Sequence, residues 1–249
     1  MIFKELTQDA QLNGIFTLIA IAFIIPFGII TLIKAIKTKE KILYPFFLCI
    51  MTIFAGWYPG ALGYLYWLIT NDFLSYEVYV LVGPILMPIT TASWLYIYLY
   101  VVHSKKYLIF LYIFIIGSLI WLLIFLYYLF FAPNAPVETY LTIVDQENLD
   151  TTYSSFVLFY LLTCLIIALI TGFHFSINGM RSSNITTKLK SKFVLIGFIS
   201  YISSAILDSI TNFPVIVIIA RLLLIITSIC FYIGFIMPSW AKKILSIED

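Results

Sequence analysis

The sequence predicts an all-α membrane protein, a bundle of seven transmembrane helices with its N-terminus outside and its C-terminus in the cytoplasm. Of the 249 residues, 63% are hydrophobic and 10% are charged, whereas a soluble domain has about 45–50% apolar and about 25% charged residues. The apolar residues also form long uninterrupted blocks, and roughly 20 such residues in a helix span the hydrocarbon layer. We therefore expect a multi-pass protein of the cell membrane.

Seven blocks are long enough to cross the bilayer. We predict an extracellular segment at residues 1–13, a membrane domain at residues 14–238 and a cytoplasmic tail at residues 239–249. A first span at residues 14–36 is too long for the apolar core of a signal peptide. The predicted spans cover residues 14–36, 43–68, 78–102, 107–131, 154–177, 193–211 and 214–237.

The individual spans differ in their polar content. The first contains Pro26, the second Pro59, and the third Pro84 and Pro88. Membrane helices tolerate such prolines as kinks, because neighbouring groups satisfy the freed carbonyls. The fourth and fifth spans contain no Asp, Glu, Lys or Arg, and the last two contain one charge each.

The basic residues predict the orientation. Short cytoplasmic segments accumulate Lys and Arg, and the second, fourth and sixth loops have none. The fourth loop instead carries Glu138, Asp145, Glu147 and Asp150. The basic inner loops are the expected contact for anionic membrane lipids or for a cytoplasmic signalling partner. Twelve of the 14 basic residues lie on this predicted inner side: Lys34, Lys37, Lys39, Lys41, Lys105, Lys106, Arg181, Lys188, Lys190, Lys192, Lys242 and Lys243.

Several classes of function lack the residues that they need. A net charge of +2 without a basic stripe gives no reason to expect a nucleic-acid partner. The two histidines, His103 and His174, fall near inner helix ends, which suits neither paired haem ligation nor a three-ligand zinc site. The three cysteines have no metal-binding spacing. We expect no cofactor, no metal and no enzymatic activity.

The outer half of the bundle contains the best candidate cavity. Residues 56–60 read Gly-Trp-Tyr-Pro-Gly, and Gly83-Pro84 is followed by Pro88. Glycine lets helices approach closely and proline kinks splay them apart. The two clusters therefore indicate either a cavity open to the outside or ordinary helix packing.

Asp208 and Arg221 are predicted to form an ion pair beside this cavity. Their side chains lean toward the N-termini of their own helices, which brings them together from different depths. A charge inside the bilayer costs about 2.5–3.5 kcal/mol and usually has a partner or water. In the alternative, Arg221 reaches the headgroups and Asp208 faces water. The candidate ligand-binding residues are Arg221, Asp208, Trp57, Tyr64, Tyr79, Thr91, Trp94, Ser204 and Ser228.

Two segments carry a family resemblance. Pro84 and Pro88 before Trp94 and Tyr98, together with the closing sequence Tyr-Ile-Gly-Phe-Ile-Met-Pro-Ser-Trp-Ala-Lys-Lys at residues 232–243, resemble the seven-helix sensory region that precedes many prokaryotic histidine kinases. The resemblance implies a protein that senses a stimulus at the outer face or in the membrane and passes helix movement inward. Only residues 239–249 follow the last span, so we expect no kinase or cyclase domain.

These observations favour a stand-alone microbial sensor or receptor-like protein that binds an unknown small ligand and signals through a separate cytoplasmic partner. A small-solute transporter is one alternative, although carriers commonly have repeated halves with matching broken helices. Here the prolines of the second and third spans have no counterpart in the sixth. A structural subunit of a membrane complex is the other alternative.

Overall fold

The computed structural model describes residues 5–102, 108–132, 140–210 and 213–245, which form an α-helical bundle with one small β-hairpin. Lys105, Lys106, His103 and Glu138 lie outside the described residues. The elements are α1 (Gln8–Thr38), α2 (Leu43–Thr52), α3 (Tyr58–Thr70), α4 (Tyr76–Val102), α5 (Leu108–Phe130), β1 (Thr142–Asp145), β2 (Asp150–Tyr153), α6 (Ser155–Met180), α7 (Ile185–Ile210), α8 (Pro214–Ile236) and α9 (Ser239–Ile244).

Six helices, α1 and α4 to α8, are long and apolar enough to cross a membrane. They match six of the seven predicted spans with shifted ends. α1 begins at Gln8, where the Thr7 side chain accepts from the N–H of Ala10, so the predicted extracellular segment is partly helical. α7 begins at Ile185 rather than at residue 193. Part of the predicted tail forms α9, whose Ala241 is buried.

The predicted second span is not one continuous helix, and the prediction is wrong in that respect. The chain forms α2 and α3, separated by turn residues 53–57. Pro59 has no N–H to donate and its ring crowds the preceding turn, but it fits the first turn of α3, where an N–H has no helical partner. Thr90 of α4 places its hydroxyl 2.7 Å from the terminal carbonyl of Thr52 in α2. The break is therefore held by a neighbouring helix.

The helices close into a ring. α1, the α2–α3 pair, α4, α6, α7 and α8 each pack against the next, and α8 packs back against α1. Aromatic side chains pack inside this ring of helices. The aromatic centroids of Trp94 and Phe198 are 4.9 Å apart, and those of Phe198 and Phe231 are 5.0 Å apart. α5 lies outside the ring, where Trp121 stacks on Tyr160 of α6 at 3.9 Å.

One end of the bundle, termed the acidic end, brings three segments together. The N–H of Thr7 donates to the carbonyl of Glu147 at 3.3 Å, and the side chain of Gln146 donates to the carbonyl of Leu74 at 2.9 Å. The N-terminal segment, the hairpin and the α3–α4 loop therefore share this end. Most acidic residues lie here, as the loop pattern predicts.

The opposite end, termed the basic end, carries the lysines. Here α8 ends, and the last carbonyls of a helix have no partner within it. Lys190 of α7 donates to the carbonyl of Phe235 at 3.2 Å, and Lys34 of α1 lies 3.5 Å from that of Ile236. Cations at a helix C-terminus also suit its negative dipole end. The lysines thus join three helices at this end.

The hairpin at the acidic end was not predicted from the sequence. Its strands are antiparallel, with Thr142 opposite Tyr153 and Asp145 opposite Asp150. The hydroxyl of Tyr76 donates to the carbonyl of Thr142 at 2.7 Å, which fixes the hairpin to the start of α4. Part of the predicted acidic loop is therefore a β-hairpin that packs against the acidic end of the bundle.

Candidate ligand-binding site

Arg221 lies in the second turn of α8 and faces the interior of the ring. Its side chain is 4% exposed, and its Nη1 is 2.8 Å from Oδ1 of Asp208 on α7, whose side chain is 29% exposed. The ion pair predicted from the sequence is therefore present in the structure. Breaking such a pair leaves an uncompensated buried charge, which costs several kcal/mol.

Two polar residues of α1 complete the surroundings of the guanidinium. Its Nε donates to Oγ1 of Thr17 at 2.8 Å, and its Nη2 donates to Oδ1 of Asn13 at 2.8 Å. Asn13 and Thr17 are four residues apart and therefore share one face of α1. Neither residue is among the predicted site residues, and Asn13 falls in the predicted extracellular segment. The only signal was a polar pair at this spacing where an apolar helix begins.

Trp57 connects the helix break to the ion pair. Its indole Nε1 donates to Oδ2 of Asp208 at 2.8 Å, so the carboxylate contacts a partner through each oxygen. Cζ of Arg221 is 5.9 Å from the centre of the Trp57 ring, within the range of a cation–π contact. Tyr201 of α7 meets the ring of Trp57 edge to face at 5.7 Å. The break between α2 and α3 is what positions Trp57 here.

A cavity of about 190 Å³, termed the acidic-end cavity, lies beside this network. Arg221, Asp208, Trp57 and Tyr79 line it, so four predicted site residues come together. The hairpin contributes part of the lining, including Asp145 and Asp150, and α1 contributes Asp9, Asn13 and Thr17.

The charges around the acidic-end cavity are unequal. Four carboxylates line it, and the one guanidinium is held by Asp208, Asn13 and Thr17. Burial raises the pKa of the nearby Tyr153 hydroxyl, and the charges of Asp150 and Asp208 raise it further against a hydrogen bond with Thr151. A small polar molecule that enters the cavity therefore meets more negative than positive charge.

The other five predicted site residues do not line the acidic-end cavity. Thr91 and Trp94 line a separate cavity of about 40 Å³ in the middle of the ring, termed the central cavity. Tyr64 stacks near Trp67 and packs in an apolar cluster at the acidic end. Helical spacing predicts that these residues face the inside of the bundle. It does not predict that they lie at the same depth, which lining one cavity requires.

Ser204 and Ser228 have structural contacts instead of cavity contacts. The hydroxyl of Ser204 donates to the carbonyl of Ala220 on α8 at 2.8 Å, and that of Ser228 donates to Leu224 of its own helix at 3.0 Å. Neither residue lines the acidic-end or the central cavity. Their hydrogen bonds satisfy buried hydroxyls where α7 and α8 pack together.

Within the described ranges, no three His, Cys, Asp or Glu side chains are grouped as metal ligands. His174 of α6 instead lies 2.8 Å from the hydroxyl of Tyr98 on α4. Comparisons with family models, curated proteins and solved structures yield no match.

Proposed function

We propose that the chain crosses the cell membrane seven times, with the acidic end outside and the basic end in the cytoplasm. Six crossings are the long apolar helices, and the α2–α3 pair makes the seventh. The break at residues 53–57 keeps local backbone hydrogen bonds, from the N–H of Ala55 to Thr52 and from that of Trp57 to Phe54, and a membrane interior requires backbone groups to be paired in this way. The lysines at one end support the orientation, because inner loops accumulate basic residues.

This topology predicts which engineered cysteines are accessible from outside. A cysteine that replaces the exposed Asp145 should react with a membrane-impermeant maleimide on intact cells, and one that replaces Ser182 should react only after lysis. Cys49, Cys164 and Cys230 are buried and give the background in the unmodified protein. Reaction of the Ser182 variant on intact cells would overturn the orientation.

We infer that the protein is a receptor-like sensor for a small ligand that binds in the acidic-end cavity. The observation that carries this proposal is the network of Arg221, Asp208 and Trp57 beside that cavity. It joins α1, the α2–α3 break, α7 and α8. A ligand that binds more tightly to one arrangement of these four elements than to another therefore shifts the population toward that arrangement.

The basic end supplies a route from ligand binding to a cytoplasmic partner. α7 and α8 both contact the ion pair at one end, and at the other Lys190 of α7 holds the C-terminus of α8. A shift between these helices moves residues at the basic end, including the exposed Lys188. The resemblance to prokaryotic sensory regions supports the same direction of signalling.

A small-solute transporter is the second candidate, and the break between α2 and α3 favours it. Carriers commonly bind their substrates at discontinuous helices, and Trp57 lies at such a break and lines the acidic-end cavity. The two candidates differ in one measurable property. A receptor binds its ligand without flux, whereas a carrier accumulates it in vesicles.

Mass spectrometry of the purified protein tests whether the cavity binds a ligand. A small molecule other than lipid should copurify with the wild type, and Trp57→Phe, which removes the bond to Asp208 but keeps a ring, should lose most of it. Trp67→Phe is the matched control, because Trp67 lies in α3 but does not line the cavity. Equal retention in all three proteins, or no small molecule in any, contradicts the proposed site. Stoichiometric protein partners alone would favour a structural subunit.

A further inference from the structure

Three cavities follow one another from the acidic end to the basic end of the ring. The acidic-end cavity has about 190 Å³ and the central cavity about 40 Å³. A third, termed the basic-end cavity, has about 200 Å³ and is lined by Glu40, Thr187 and Lys190 among others. An aromatic contact lies on each side of the central cavity, between it and the next space.

The first contact lies between the acidic-end and central cavities. Trp57 lines the former and Tyr201 the latter, and their rings meet edge to face at 5.7 Å. The same division follows the helix break, because Gly56 lines the acidic-end cavity and Ile53 the central one. Residues 53–57, which separate α2 from α3, therefore lie beside the contact between Trp57 and Tyr201. The backbone is not a continuous helix at this point.

The second contact lies between the central and basic-end cavities. Phe46 of α2 and Phe235 of α8 line both cavities. Their rings stack with centroids 4.0 Å apart and planes inclined by 22°. This stacked pair therefore lies in the wall between the two cavities.

We propose that the three cavities form one pathway across the membrane for a small neutral or cationic solute, closed by the Trp57–Tyr201 and Phe46–Phe235 contacts. This proposal rests on the second proposed function, the transporter, and goes beyond it by naming the route and its two barriers. Opening one barrier at a time would expose the central cavity to one side only. That is the arrangement that alternating access needs.

The lining indicates which solutes suit the pathway. The acidic-end cavity has four carboxylates and one guanidinium that is already held by three partners, and a cleft with one sign of charge concentrates ions of the opposite sign. In the central cavity, Trp94, Phe198 and Phe231 present aromatic rings, whose faces attract cations. A water needs at least about 10–15 Å³, so a 40 Å³ space suits a solute of a few heavy atoms.

Two native cysteines report on access to the central cavity. Cys49 of α2 and Cys164 of α6 both line it and are buried. Variants that retain Cys49 alone or Cys164 alone, with Ser at the other cysteine positions, are reacted in sealed vesicles with the cationic trimethylammonium-ethyl or the anionic sulfonatoethyl methanethiosulfonate. A variant that retains Cys230 alone is the control, because Cys230 is buried but lines none of the three cavities.

Removing one aromatic side chain from either contact should open the central cavity to one side of the membrane. Trp57→Ala should raise the labelling rate of Cys49 roughly tenfold or more from the side on which a cysteine at position 145 reacts. Phe46→Ala should do so from the opposite side only. From the acidic end, the cationic reagent should react roughly tenfold faster than the anionic one after each rate is divided by the rate of that reagent with a small thiol in solution. Tyr201→Ala tests the first barrier again and leaves the bond between Trp57 and Asp208 in place.

Each contrary result overturns a definite part of the proposal. If Cys49 and Cys164 stay unreactive in all these variants, or if they react equally from both sides, there is no pathway with two barriers. If the corrected rate of the anionic reagent is equal or higher, the solute class is wrong. If Cys230 reacts as well, the variant is loosened and Tyr201→Ala decides. Ligand copurification is independent of labelling, so failure of the pathway leaves the binding site to its own test.

Discussion

Replacing Asp208 with Leu is expected to lower the free energy of unfolding by about 3–5 kcal/mol, because it strands a buried charge. The Arg221 side chain is 4% exposed and would keep only the neutral acceptors Thr17 and Asn13. Trp57 would also lose the acceptor of its indole N–H. The midpoint of thermal unfolding in detergent, compared with that of Ser209→Leu on the exposed face of the same helix, measures the loss.

Arg221→Leu should cost less than Asp208→Leu. The Asp208 side chain is 29% exposed and retains the hydrogen bond from Trp57, so its charge is still partly compensated. The double replacement by Leu should recover much of the loss, because neither charge then remains in the ring. If the double variant loses the sum of the two single losses, the pair makes no energetic contribution of its own.

Gly234→Leu is the second large expected effect, because α7 and α8 leave no room for a side chain at this position. A Cβ built on Gly234 would lie 2.6 Å from Cγ2 of Val194, and 3.0 and 3.2 Å from backbone atoms of Lys190 and Val194. Backbone atoms cannot move aside as a flexible side chain can. Overpacking of this kind costs about 1–3 kcal/mol or more, and we expect the upper part of that range.

Gly117→Leu is the matched control for Gly234. Gly117 lies in α5 outside the ring, and nothing lies within 4 Å of a Cβ at this position. The midpoint of thermal unfolding should therefore fall by roughly 5–10 °C for Gly234→Leu, at about 2–4 °C per kcal/mol, and stay near the wild-type value for Gly117→Leu. Equal shifts in the two variants would show that the α7–α8 contact is less tight than the structure indicates.

The helices and the charged pair were predictable because each depends on a local pattern. A block of apolar residues needs no neighbour to be recognised, and Asp208 and Arg221 lie on consecutive helices whose relative direction is fixed by the short connection. The hydroxyl and amide of Thr17 and Asn13 were missed for the opposite reason. Their role depends on contact between α1 and α8, and no periodicity within either helix shows that the ring closes there.

The helix break at Pro59 and the β-hairpin each have a local sequence signal, but that signal is ambiguous. Pro59 suits a kink inside one span, but proline also suits the first turn of a new helix, and the sequence alone does not distinguish the two. The hairpin has a sequence signal of its own. Thr142 to Asp145 and Asp150 to Tyr153 are rich in β-branched residues around a polar turn, a pattern typical of short strands.

The closed ring has a consequence for how the chain is made. Synthesis proceeds from the N-terminus, so α1 is made long before α8, its neighbour in the finished ring. Until then Asn13 and Thr17 lack the guanidinium that they contact across more than 200 positions of sequence. Arg221 joins the earliest helix to the latest and is also the charge partner of Asp208. Both the closure of the ring and the charge pair in its interior therefore wait for the last long helix.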